Sequence, residues 1–398
     1  MGKFNFFTMG LFVIIAYMTT FLVKRAEQYV LYKHGVKKYA AQGKCLYMCA
    51  YLVLIFFCVI HNVDMYPKYP SENTIDMQAY IYFFQEGLTA GWDWKKIITF
   101  NQWEPLFYSI NLFIRLFTSN YRIYWFILYS IYVICLLVFT SQFFDNIRTF
   151  CIYPFFIVQL LYGMCALRNC MANAFCLLAF CFLKKEKNAL FILMVILAMG
   201  CHYTAVFVLP AIIAVECGKK LGNYRREKLL IIVVIATVVA NIAIPIAKIV
   251  ILQTKYSVYL GQKMTLLGQM YMVCCAAAGI LFLNDMKKKY PELDFLVYIV
   301  AYNCILTPLI MEFNIYRIND YFMLPRLMVW SMVIECLQDK VKGQNSKKLV
   351  AIIGGFVMFM WMIKSVYDMQ GYGIMPYLNY YICLLYTSPS PRDAHESR

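Results

Sequence analysis

Long apolar runs alternate with short clusters of lysine and arginine along most of this chain, and that alternation restricts its possible folds more than any other feature. Apolar runs at residues 4–23, 45–60, 123–140, 203–217, 229–252, 264–283, 296–311, 322–337 and 349–363 approach the roughly 20 residues that a helix needs to cross a bilayer. Hydrocarbon offers no partner to a backbone N–H or C=O, so each run must satisfy its own groups as a helix. The fold class expected is therefore an all-α polytopic membrane protein. Composition agrees: 62% of residues are hydrophobic and only 15% are charged, against about 25% charged in a soluble domain.

The basic clusters set the orientation. Lys24, Arg25, Lys33, Lys37, Lys38 and Lys44 follow the first run, and Lys184, Lys185 and Lys187 tip a helical hairpin over 167–204. Lys219, Lys220, Arg225, Arg226 and Lys228, then Lys287, Lys288 and Lys289, then Lys340, Lys342, Lys347 and Lys348 complete the set. All of these fall on one side, the cytoplasm, if the N-terminus is outside. The net charge of +16 is thus topological, and no nucleic-acid partner is expected. Residues 62–104, rich in Asp, Glu, Tyr and Trp, form an external loop.

Between that loop and Arg168 an even number of crossings is required, yet three apolar stretches lie there, at 105–117, 123–140 and 150–164. The first and third are short, so one is expected to be a half-helix or re-entrant segment, which is tolerated only where it lines a cavity. The total comes to roughly 10 to 12 membrane helices of about 20 residues, in a single integral membrane domain over 1–382. The 16 cysteines contain no C-x-x-C pair and lie mostly in apolar runs, as small packing residues rather than a disulfide or metal framework. Four histidines give no ligand spacing, so no metal is expected. Residues 383–393, CLLYTSPSPRD, read as translated sequencing adapter, and 383–398 are expected to be an artefactual tail without function.

Against this apolar background a few polar residues stand out. Glu104 precedes Pro105, which suits the first position of a helix, and Tyr108, Asn111 and Arg115 continue one polar stripe. That stripe is expected to face protein or water, with Phe107, Leu112 and Leu116 turned elsewhere; an interfacial amphipathic helix fits it equally. Arg168 opens a helix with Asn169 and Asn173 on the same side, and a guanidinium fork beside helix N-terminal amides suits an anion such as phosphate. Snorkelling to the membrane edge is its ordinary alternative. His202, between Cys201 and Tyr203, reads by itself as a packed histidine, and gains interest because the hairpin returns it to the face that carries Arg168. Glu312, Tyr316 and Asp320 recur at one-turn spacing, with Arg317 within reach of Asp320 or Tyr321 as a structural ion pair. Pro308 and Pro325 argue against one straight helix through them. Asp76 and Tyr80 have helical spacing in the external loop. The notable polar side chains gather at the external face, and Arg168, His202, Glu104 and Arg317 are expected to share one cavity there.

Taken in order, these pieces resemble the EpsG family of Wzy-like polysaccharide polymerases: D-x-x-x-Y at Asp76–Tyr80, E-P-x-F at Glu104, Pro105 and Phe107, R-Q-x-x-A at Arg168 and Ala172, H-x-S/T-A at His202, Thr204 and Ala205, and a late Arg317 with Tyr321 and Phe322. Asn169 stands where the pattern has Gln. The resemblance implies a GT-C-like or Wzy-like helical bundle that transfers a growing glycan between undecaprenyl-diphosphate-linked repeat units outside the bacterial cytoplasmic membrane. It implies His202 or Glu104 as the base, and Arg168, Arg317, Asp76, Tyr80, Asn169, Asp320 and Tyr321 as substrate contacts. No cofactor is implied, because the carrier diphosphate is already an activated leaving group. The partners implied are the lipid-linked oligosaccharide, membrane lipid, and a chain-length regulator and flippase of the same pathway. A flippase of the same glycans is the rival reading, as is an acyltransferase using His202, for which no polar track from the cytoplasm is seen.

Overall fold

The computed structural model describes residues 6–33, 36–61, 76–87, 93, 95, 97, 103–143, 156, 166–222, 226–253, 266–313, 315 and 317–368. Its elements in order are α1 (Phe6–Glu27), strands β1 (Val30–Lys33) and β2 (Val36–Tyr39), α2 (Ala41–Val59), α3 (Asp76–Tyr82) continued by a π-helical turn (Phe83–Gly87), α4 (Pro105–Arg115) and α5 (Tyr121–Phe143). Then come α6 (Leu167–Lys184), α7 (Asn188–Cys201), a 3-10 helix (Tyr203–Val208), α8 (Ala211–Gly222), α9 (Arg226–Leu252), α10 (Leu266–Leu281), α11 (Leu283–Lys289), α12 (Phe295–Glu312), α13 (Arg317–Lys340) and α14 (Gln344–Asp368). The protein is an all-α polytopic membrane protein. Among the described residues seven helices are long and apolar enough to cross a membrane, and the pair α10–α11, bent by 62°, raises that to eight.

Two further points bear on the expected 10 to 12 helices. The stretch 150–164 lies outside the described residues except for Phe156. And α13, 24 residues long, is excluded from the apolar set by its charges although it is one of the most buried helices. Asn319, Asp320, Arg326, Ser331, Glu335 and Gln338 are all buried along it. This corrects the expectation that polar groups gather at one face: on α13 they run the length of the helix, shielded from lipid by the bundle.

The short element between the external loop and Arg168 is α4. Its 11 residues rise about 16 Å, half of a bilayer core of roughly 30 Å. Pro105 occupies its first turn and Glu104 its N-cap, as expected. Asn111 and Tyr108 are buried, but so are Phe107 and Leu112, and only Leu116 of the three apolar residues is exposed. The polar stripe is therefore not set apart from an apolar one: the helix is packed on most of its circumference and shows Phe113, Leu116 and Phe117 to the surroundings.

The first basic loop also departs from the all-helical expectation. Val30–Lys33 and Val36–Tyr39 pair antiparallel, Val30 opposite Tyr39 and Lys33 opposite Val36. Two short runs rich in Val and Tyr separated by two residues suit a hairpin, a signal that the lysine count hides. The tip of the 167–204 segment is a tight turn: Glu186 sits at φ 55, Glu186 N–H donates to Leu183 O and Lys187 N–H to Phe182 O. This is a Schellman closure made without glycine. The tail 383–398 lies outside the described residues.

The chain packs as two compact units, one of residues 1–145, 152–174 and 358–398, the other of 146–151 and 175–357. In the first, α2 packs on α1 and α5, with Tyr51 OH and Ser130 Oγ 2.8 Å apart across the α2–α5 interface. In the second, α12 is the hub, contacting α8, α9, α10 and α13. Gly218 lets α8 approach α12, because a Cβ there would run into the Tyr298 ring; small residues at such crossings replace the hydrophobic drive that lipid cannot supply.

Candidate functional site

In the first unit, three motifs far apart in the sequence meet. The π-helical turn after α3, Trp103 and the start of α4 form an aromatic cluster. Tyr80 lies 6.2 Å from Trp103 and 5.9 Å from Phe107, ring centre to ring centre, and Trp103 lies 5.2 Å from Phe107. Fixed among these rings, the Tyr80 hydroxyl lies 3.5 Å from Arg168 Nε. Arg168 Nη1 donates to Glu104 Oε2 at 3.1 Å. Glu104 makes no side-chain cap bond to its own helix; its carboxylate is spent on the guanidinium instead.

Burial of this pair is unequal, and the asymmetry matters. The Glu104 side chain is 5% exposed and that of Arg168 25%. A carboxylate so buried requires a partner, and Arg168 supplies it while keeping an accessible edge. An anion approaching that edge meets the second residue of α6, where helix N-terminal amides add to the attraction. Asn169 and Asn173 are buried beside it on α6, whereas Asp76 at the head of α3 is exposed, one turn before buried Tyr80. Arg115, at the other end of α4, donates to Gln85 O at 3.1 Å and rests over the Phe84 ring. It is a brace for the π-helical turn rather than a member of the cluster.

The second unit holds the other expected residues. His202 caps α7 in extended conformation, φ −158 and ψ 116, with its N–H donating to Ala198 O at 2.8 Å. Its side chain is half-buried. The chain then tightens into the 3-10 helix, where Thr204 Oγ1 and Tyr321 OH lie 3.0 Å apart. Tyr321 is buried, so this contact ties the His-Tyr-Thr segment to α13. Tyr302 OH adds a bond of 3.0 Å to Phe207 O. Arg317 and Asp320 occupy the first turn of α13, Asp320 buried and Arg317 half-buried. As Pro308 and Pro325 predict, no single straight helix runs through Glu312 and Asp320: α12 ends at Glu312 and a new helix begins at Arg317. Glu312 instead pairs with Lys248 of α9, and Tyr316 lies outside the described residues.

Sequence reading missed Arg326. Buried at 5% exposure, its Nη1 donates to Asn303 Oδ1 and its Nη2 to Asn319 O at 2.9 Å, while Asn303 Nδ2 donates to Asn319 Oδ1 at 3.1 Å. No ion pair to Arg326 occurs among the described residues; the Asn303 and Asn319 oxygens, with the Tyr271 hydroxyl of α10, hold this charge and bind α12 to α13. The available signal was the arginine itself, four residues into the apolar run 322–337.

Fold and site together define a multi-pass α-helical membrane protein with an aromatic-framed Arg–Glu pair at the head of a half-length helix. Residues 68–379 match the EpsG family, and the chain belongs to that family. No curated protein and no solved structure matches it. Among the described residues no group of His, Cys, Asp and Glu is placed to hold a metal ion. The family ties the chain to a polymerase role in exopolysaccharide production.

Proposed function

We propose that this protein polymerises glycan repeat units carried on undecaprenyl diphosphate, at the outer face of the bacterial cytoplasmic membrane. The observation that carries the reading is the meeting of Tyr80, Glu104 and Arg168, from three of the family-like motifs, around one partly accessible guanidinium. In the transfer, the bond from the sugar anomeric carbon to the diphosphate oxygen breaks as a bond to the acceptor hydroxyl forms. Negative charge grows on the departing diphosphate, and the hydroxyl proton passes to a base. Arg168 meets the growing charge with oriented donors.

Glu104 is then the base released by substrate. A diphosphate at Arg168 competes with the carboxylate for the same guanidinium, and a carboxylate freed from its cation in a buried setting accepts a proton more readily. His202 is the alternative base, with Thr204 and Tyr321 fixing the segment that bears it. Asp76, Asn169, Arg317 and Asp320 are assigned to sugar and carrier contacts. Tyr321, its hydroxyl held by Thr204, is assigned to positioning.

The buried polar groups along α13 are the one observation that favours a flippase. The charged and amide groups among them are, however, engaged with fixed partners: Arg326 with Asn303 and Asn319, Glu335 with Tyr290, and Gln338 with Lys347 O. Groups locked in this way brace a bundle rather than line a path. Arg168→Lys tests the polymerase reading. It keeps the charge but not the fork that reaches both Glu104 and Tyr80. A contact to developing charge is worth on the order of 3 kcal/mol, about a hundredfold in rate. The expected phenotype is single lipid-linked repeat units accumulating outside the membrane at normal protein abundance. Normal long-chain polymer from Arg168→Ala would overturn this role, and repeat units trapped on the cytoplasmic side would favour the flippase.

A further inference from the structure

Between α2 and α5 in the first unit runs a groove of about 540 Å³, within the roughly 300–1,000 Å³ of small-molecule sites. It extends along α2 from Lys44 to Tyr51 and along α5 from Ser141 back to Ile134, about 10 Å at 1.5 Å per residue. One end is polar and basic. Lys44 lies there, exposed, and no ion pair to it occurs among the described residues. The hydroxyls of Tyr39 and Tyr47 line the same end, 3.2 Å from each other. The walls are apolar, and the far end is closed by the Tyr51–Ser130 contact at 2.8 Å. Ile134 is 53% and Val138 43% exposed, so the groove opens sideways toward the surroundings of the helices.

We propose that this groove binds an anionic glycerophospholipid of the leaflet at the basic end, its phosphate on Lys44 and the Tyr39 and Tyr47 hydroxyls and an acyl chain along Ile134, Leu137 and Val138. Basic pockets between membrane helices on the cytoplasmic side suit such headgroups. A zwitterionic lipid places its own cation against this lysine. The lipid carrier of the proposed reaction presents its diphosphate at the opposite face, so the site is separate from that chemistry and does not depend on it.

The test uses full-length protein, stripped of lipid and returned to detergent micelles doped with phosphatidylglycerol or phosphatidylcholine, with bound lipid counted by native mass spectrometry. Phosphatidylglycerol should be retained in preference to phosphatidylcholine. Lys44→Glu, a surface change without a packing role, should weaken phosphatidylglycerol retention at least about fivefold, one lysine contact with an anionic lipid. Val138→Trp, which fills the groove from its lipid-facing wall, should abolish retention with the melting temperature unchanged. Equal retention of the two lipids, or undiminished phosphatidylglycerol retention by Lys44→Glu, would overturn the proposal. So would displacement of phosphatidylglycerol by equimolar undecaprenyl phosphate, which would assign the groove to the carrier.

Discussion

Arg168 Nη1 and Glu104 Oε2 lie 3.1 Å apart although 64 residues separate them in the chain. The pair places a buried carboxylate under a guanidinium that keeps an accessible edge, and it joins the head of the half-length helix α4 to the first turn of α6. Structure and reactivity are coupled in it, because whatever takes the arginine also frees the acid.

That coupling separates support from chemistry. Arg168→Glu combined with Glu104→Arg restores an ion pair between the same two positions, so protein abundance and melting temperature should recover relative to either single change. Polymer should not return, since the anion-facing edge then carries a carboxylate. The double variant would be scored by polymer length and by thermal melting in detergent; full polymerisation would show that the pair is only structural.

His202→Ala distinguishes its two roles by abundance. As the base, its loss leaves protein level and melting temperature unchanged while lipid-linked repeat units build up. As a packed cap of α7, its loss lowers both without that build-up. Tyr321→Phe should behave as a positioning change. It removes one hydrogen bond to Thr204, about 1 kcal/mol, and should reduce polymerisation less than His202→Ala does.

Arg326 offers a stability cycle. Asn303→Leu removes the amide oxygen that receives Arg326 Nη1 and leaves a buried charge short of an acceptor, a loss of about 3 kcal/mol. Arg326→Met in the same chain removes the charge that needed it, so the double variant should be more stable than Asn303→Leu alone. Additive destabilisation, read by thermal melting, would contradict the coupling drawn between α12 and α13.

Asp294, just before α12 at the basic end of the bundle, carries a pH signature. Burial raises its carboxyl above the ordinary value, against the lowering effect of Lys287 and Lys219. A raised folded-state value means that ionisation costs stability, a cost absent below the unfolded value near 3.9 and incurred as pH rises above it. Asp294→Asn should therefore raise the melting temperature by a small margin at pH 7 and by nothing near pH 3.5.

Much of this protein was legible before any tertiary contact was known. Helical spans follow from hydropathy because lipid leaves the backbone no other way to satisfy itself, and the N-cap of α4 at Glu104 follows from Pro105. The break between Glu312 and Arg317 was signalled by two prolines, although both sit inside helices, Pro308 in α12 and Pro325 in α13, with the break between them. These are local effects, read over a few residues. Tertiary packing alone decided which charges meet. Nothing near Glu104 in the chain names Arg168 as its partner, and the polar stripe on α4 did not show that Phe107 and Leu112 would be covered as well. Arg326 and Glu335 were absorbed into the apolar run 322–337 because hydropathy averages over the circumference of a helix, and only neighbouring helices determine which side of α13 is hidden from lipid.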